Sequence, residues 1–143
     1  MLYRLLGIGA ISKKHRPGLE QEGIVVADEG IGGSLTMRDV KGPGRRYSYK
    51  KSLFTGWLVI TEKRIICYAF GFRQIDIPVN DSRITELQVE NPKENILTIS
   101  FEASVFRPNW SGHMQFKFKT DKAKQFLSCL SGIEVNTNPS YPE

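Results

Sequence analysis

The stretch GWLVITEKRIICYAFG, residues 56–71, decides the fold. Trp57 and Val59 alternate with Leu58 and Ile60, and all four are apolar. A run apolar on both sides reads as a central strand, or as a strand with both faces covered. TEKR at 61–64 is a polar break short enough for a turn, and IICYAF at 65–70 runs back. The segment is therefore an antiparallel hairpin. It holds no nucleophile–base pair, no metal cluster and no phosphate loop, so its clear patterning serves architecture.

The same alternation extends in both directions. Upstream, EQEGIVVAD at 20–28 reads as a strand on its β-branched run, EGIGG at 29–33 as a turn, and SLTMRDVK at 34–41 as a second strand. GPGRRYSYKK at 42–51 reads as a basic loop that feeds an edge strand. Downstream, Ile75, Ile77 and Val79 alternate with Gln74 and Asp76, and Pro78 marks an edge or a strand end. RITELQVE at 83–90 places Leu87 and Val89 on one face, and NPKEN at 91–95 is a turn. Leu97 through Val105 alternate with polar residues, as do Met114, Phe116 and Phe118. After Thr120 the period changes. Ala123, Phe126, Leu127 and Leu130 form one helical face, with Thr120 or Asp121 able to cap its start and Gly132 its end. The order is about seven antiparallel strands and one C-terminal amphipathic helix, which predicts a mainly β, partly open barrel capped by that helix.

The totals fit one domain. The chain has 143 residues, 40% hydrophobic and 24% charged, enough apolar material for one core. Apolar LYRLL at 2–6 reads as a short helix or an extended arm, followed by a polar linker, SKKHRPG, at 12–18. Its basic residues follow the apolar part, which is not the order of a secretion signal, so the mature chain is expected to begin at Met1. The expected organisation is an N-terminal arm and linker over 1–18, a domain over 19–131 and a loose tail over 132–143. Cys67 and Cys129 read as free core thiols in a reducing compartment, which points to the cytoplasm. The net charge is +5 and is uneven: residues 1–73 carry 13 Lys and Arg against 6 Asp and Glu, whereas residues 74–143 carry 7 against 9. Such asymmetry favours an anionic partner at one end of a domain, or marks a solvated face.

Four pieces of the chain resemble the pleckstrin-homology superfold, in particular its GRAM-like and bacterial PH-like branches. They are the Glu-led first strand; the hairpin pattern Gly56, Leu58, Ile60, Thr61, Arg64 and Ile65; the Ile-Pro-Val strand at 77–79; and the strand-to-helix close MQFKFKTDKAKQFLSCL at 114–130. The resemblance spans roughly residues 20–131. It implies a barrel scaffold in which Thr61 and Arg64 shape the hairpin turn. It brings no activity with it, because fold and function are separable.

RRYSYKK at 45–51 holds four cations, Arg45, Arg46, Lys50 and Lys51, with two tyrosines and no acid. Arg forks onto anionic oxygens, Lys acts as a point charge, and Tyr suits a wet–apolar boundary. Three readings stand: a solvated loop, contact with anionic lipid, or contact with protein or nucleic acid. The Lys-x(n)-(Lys/Arg)-x-Arg spacing of phosphoinositide-binding PH domains does not follow the first turn. Trp110, in RPNWSG at 107–112, is either an exposed partner anchor or a plug at the barrel end. His15 and His113 read as loop residues without ligand-spaced neighbours, so no metal or other cofactor is expected. GIGG at 30–33 lacks the strand–glycine–helix setting of a phosphate loop. Phe116 and Phe118 read as buried, which argues against base stacking on nucleic acid. The expectation is a noncatalytic module that presents its basic segment to a protein partner or to another copy of itself. The alternatives are peripheral attachment to an anionic membrane, at the inner membrane surface, and a small-ligand or enzymatic role at an open barrel end.

Overall fold

The computed structural model describes residues 10–133 and 136–137. The elements in order are α1 (Arg16–Glu22), β1 (Ile24–Gly42), β2 (Arg45–Thr61), β3 (Arg64–Ala69), β4 (Phe72–Pro78), a 3-10 turn (Ser82–Glu86), β5 (Gln88–Lys93), β6 (Ile96–Glu102), a 3-10 turn (Ala103–Val105), β7 (Ser111–Lys119), α2 (Ala123–Ser131) and β8 (Asn136–Thr137). The chain is mainly β, with seven antiparallel strands in one open sheet and a C-terminal helix. The strand order is β4-β3-β2-β1-β7-β6-β5, and the two-residue β8 pairs parallel with β5 at Gln88 and Val89. That pairing ties down part of the segment expected as a loose tail. The arm expected over 2–6 lies outside the described residues.

The long β1–β2 hairpin gives the sheet its shape. EGIGG, expected as a turn, does not reverse the chain. β1 runs through it with a bulge between Glu29 and Ile31, where Gly30 takes φ 64°. Extra backbone at a bulge bends a strand and increases its twist. On one side of the bend β2 pairs with β3, from Gly56↔Ala69 to Ile60↔Ile65. On the other side β1 pairs with β7, from Gly33↔Phe118 to Arg38↔His113 and, after a register shift, at Lys41↔Ser111. Gly33 and Gly56 stand at the crossover. A Cβ on Gly56 would overlap the Tyr68 carbonyl oxygen, and one on Gly33 would overlap that of Lys117. The only reversal within the hairpin is Pro43–Gly44, with Gly44 at φ 71°. The basic segment expected as a loop is therefore strand from Arg45 onward.

The bent sheet encloses one core. Ile75 and Ile77 of β4, Leu87 and Val89 beside and on β5, Phe116 and Phe118 of β7, and Phe126 and Leu130 of α2 all belong to it. α2 packs against β5, β6 and β1. Its expected apolar stripe is largely buried, with Leu127 only half-buried. The helix starts at Ala123 without a side-chain cap. Thr120 instead accepts from the Lys122 amide at 3.1 Å and donates to the buried Asp28 carboxylate at 2.7 Å, tying the start of α2 to β1. Cys67 is a core residue, and burial raises its thiol pKa; Cys129 is half-buried.

The β2–β3 hairpin is buried on both faces. Leu58, Ile60, Ile65 and Cys67 face the main core, whereas Trp57, Val59 and Ile66 pack with Ile11 and Leu19 in a second cluster. Tyr68 stacks on Trp57 with centroids 5.2 Å apart, and His15 tilts against both rings. Residues 12–18, expected as a polar linker, thus form a turn and the start of α1, with Pro17 suited to a helix's first turn. Among the described residues Ile11, upstream of the expected domain start at Leu19, already packs in this second cluster. Glu22 of α1 accepts from the Thr61 hydroxyl at 2.9 Å and from Arg64 Nε and Nη2 at 3.0 Å, and Arg64 Nη1 also reaches Asp76 at 3.1 Å. Thr61 Oγ1 accepts the amides of Lys63 and Arg64, fixing the hairpin turn.

Three smaller segments differ from expectation. Residues 82–86 form a 3-10 turn, where Asp81 accepts the Arg83 amide at 2.8 Å. Asn91–Lys93 continue β5, and the buried Asn91 side chain donates to the carbonyls of Lys93 and Ile96. β6 stops at Glu102. Gly56→Ala should cost about 1–3 kcal/mol through forced overlap at the crossover. Gly18→Ala, mid-helix with nothing within 4 Å, should gain about 0.5–1 kcal/mol. Urea unfolding of both variants checks the pair.

Candidate functional site

Beyond the crossover, β2 changes neighbours. β3 pairs with Gly56–Ile60 only, so among the described residues β1 is the one strand paired with 45–55. Their other edge meets no strand among the described residues. All four predicted cations, Arg45, Arg46, Lys50 and Lys51, lie exposed on this arm, and β2 contains no Asp or Glu.

Register divides the four into smaller groups. Arg45 Nη1 donates to the Tyr47 hydroxyl at 3.4 Å, and Lys50 Nζ sits 4.7 Å from the Tyr47 ring centre. The Arg45 hydrogen bond lowers the Tyr47 phenol pKa below its ordinary value; desolvation opposes this, and the charges of Lys50 and Arg45 add to the lowering. Arg38 of β1 lies over Tyr49, 5.6 Å from its centroid. Lys51 faces the outside of the sheet. Thr36 pairs with Lys51 on one side and Gln115 on the other, and Ser34 pairs with Leu53 and Lys117. Lys51, Leu53, Lys117 and Lys119 consequently line one shallow groove of about 410 Å³. Arg46 makes none of these contacts.

Arg38, Lys117 and Lys119 were therefore missed by the sequence reading. The alternation of Lys117 and Lys119 with Phe116 and Phe118 shows that they point outward. Only cross-strand register shows that they neighbour Lys51, more than sixty positions away. Two apolar side chains stand among these cations: Leu53 is 79% exposed and Tyr49 is 59% exposed.

Trp110 lies against Gly42, where a Cβ would overlap its ring, and Arg107 sits 5.4 Å from the ring centroid. It is half-buried against the main core. His113 lies on β7 opposite Arg38 and Glu102, not in a loop. Asp76 is tied to Arg64 and Arg73. Phe116 and Phe118 are fully buried. Among the described residues no three His, Cys, Asp or Glu side chains gather at metal-holding distance, and no helix is long and apolar enough to cross a membrane. No protein-family model matches the chain, and no curated protein matches its sequence.

Removing the Arg45 donor should move the Tyr47 pKa back up toward the ordinary tyrosine value of about 10. An ultraviolet phenolate titration of Arg45→Ala against the parent protein checks this.

Proposed function

We propose that this chain is a noncatalytic binding module of the PH-like, GRAM-like kind, and that the β2 arm contacts an acidic segment of a protein partner. The supporting observation is the arm itself: Arg45, Arg46, Lys50 and Lys51 on a strand without an acid, open along one edge, with Arg38, Lys117 and Lys119 on neighbouring strands. The summed field of these cations raises the on-rate for an anionic partner. Against a ligand chamber stands the aromatic filling of the interior, where Phe54 meets Phe116 and Phe118 and Phe101 stacks on Phe116.

One observation favours a second reading, attachment to an anionic membrane. Leu53 projects from among lysines, which is an arrangement suited to an interface between water and lipid. The two readings separate in one experiment. A labelled oligoglutamate and anionic vesicles are each titrated against the parent protein and an Arg45/Arg46/Lys50/Lys51→Glu variant, at low and near-physiological salt. The protein reading expects oligoglutamate binding that weakens with salt and disappears in the variant. Binding to vesicles alone would replace it with the membrane reading.

A further inference from the structure

Among the described residues the sheet has four places where a strand edge could accept another strand. Residues 24–32 of β1 pair with β2 only, but this edge is in contact with α2, and the Ala27 carbonyl accepts from Lys122 Nζ at 2.6 Å. β4 ends at Pro78, which has no amide hydrogen to give, and Arg73 and Asp76 pair along it at 2.7 Å. β5 is already paired with β8 at Gln88 and Val89. The fourth is the arm of β2 at 45–55, paired with β1 on one side and with no described strand on the other. A strand edge of this kind presents a row of unpaired N–H and C=O groups.

We infer that the β2 arm binds its partner by strand addition, taking an extended acidic segment as an extra strand of the sheet. This rests on the acidic-partner reading above and specifies how that partner is held. Backbone hydrogen bonds along the edge would supply affinity, and alternate side chains would supply selectivity. Tyr49, Lys51 and Leu53 share one face of the arm. They call for a segment with apolar residues opposite Tyr49 and Leu53 and an acid between them, opposite Lys51. Arg45, Arg46 and Lys50 extend the demand for acids.

The same charges argue against a second copy of this chain as the occupant. An antiparallel self-pairing centred on Ser48 sets Arg46 against Lys50 and Arg45 against Lys51. Like charges directly opposite each other in a ladder are destabilising. The edge thus resists its own copy and admits an acidic strand.

The test uses the full chain and three synthetic peptides of about eight residues, the length of an ordinary strand. The first, Val-Thr-Glu-Glu-Val-Thr-Val-Glu, sets Val opposite Leu53 and Tyr49 and Glu opposite Lys51, Lys50 and Arg46 in an antiparallel register. The second has the same sequence and charge but carries N-methyl groups on alternate residues, which removes the donors of one edge. The third replaces every Glu of the first with Lys. Fluorescence anisotropy at low salt should show binding of the first peptide, at least about tenfold weaker binding of the second, and none of the third. The Arg45/Arg46/Lys50/Lys51→Glu variant should exchange the first preference for the third. Equal binding of the first two peptides would overturn strand addition while leaving the acidic-partner reading standing. Failure of both acidic peptides to bind would overturn the two together.

Discussion

The crossover at Gly56 is the constraint on which the rest depends. There the β2 backbone passes the Tyr68 carbonyl with no room for a side chain. Close approach of this kind is a position that only glycine fills. Together with the bulge at Gly30 and the tight passage at Gly33, it lets one hairpin belong to two halves of the sheet. The first half pairs with β3 and the second with β7. Because the hairpin turns away while β3 ends at Ala69, β2 continues past its neighbour. The arm that carries the cations is a geometric consequence of how the core is closed.

The N-terminal segment solves a second problem created by the same hairpin. A strand pair apolar on both faces needs cover on both. The main core takes Leu58 and Ile60; Ile11, Leu19 and the Tyr68 ring cover Trp57, Val59 and Ile66. The bidentate contact of Arg64 with Glu22, extended to Asp76, fixes α1 to the turn of the hairpin and to β4. Such pairs orient elements more than they stabilise them when water still reaches the charges. Burial of Trp57 and Leu19 stabilises the contact more, since each removes an extended apolar surface from water.

Much of this fold was legible where the alternation was long. The β2–β3 hairpin, β4, β6, β7 and the stripe of α2 follow directly from side-chain periodicity. Both-face burial of 57–60 was also readable, although not what supplied the cover. α1 was hidden because its seven residues hold a single buried apolar side chain, Leu19, too few to show a period. EGIGG looked like a turn because glycines mark reversals and bulges alike, and only pairing on both sides distinguishes them. The basic segment looked like a loop because its alternation is mostly polar: over 45–51 only Tyr47 packs against the core, and only in part, which leaves little hydrophobic signature. For the candidate site, the four cations of β2 were visible as a run. Their neighbours Arg38, Lys117 and Lys119 were not, because register between distant strands is not written in either strand alone.

Residues 45–55 have either one neighbouring strand or two, and the proposed binding edge exists only in the first case. Amide hydrogen exchange of the monomeric chain, resolved residue by residue by NMR, measures this directly. With β1 as the only neighbour, residues 57–60 should be protected throughout. Over 46–54, roughly every second amide should exchange fast, because alternate N–H groups face the open edge. Continuous protection over 46–54, equal to that of 57–60, would show that the edge is already occupied and would contradict the account.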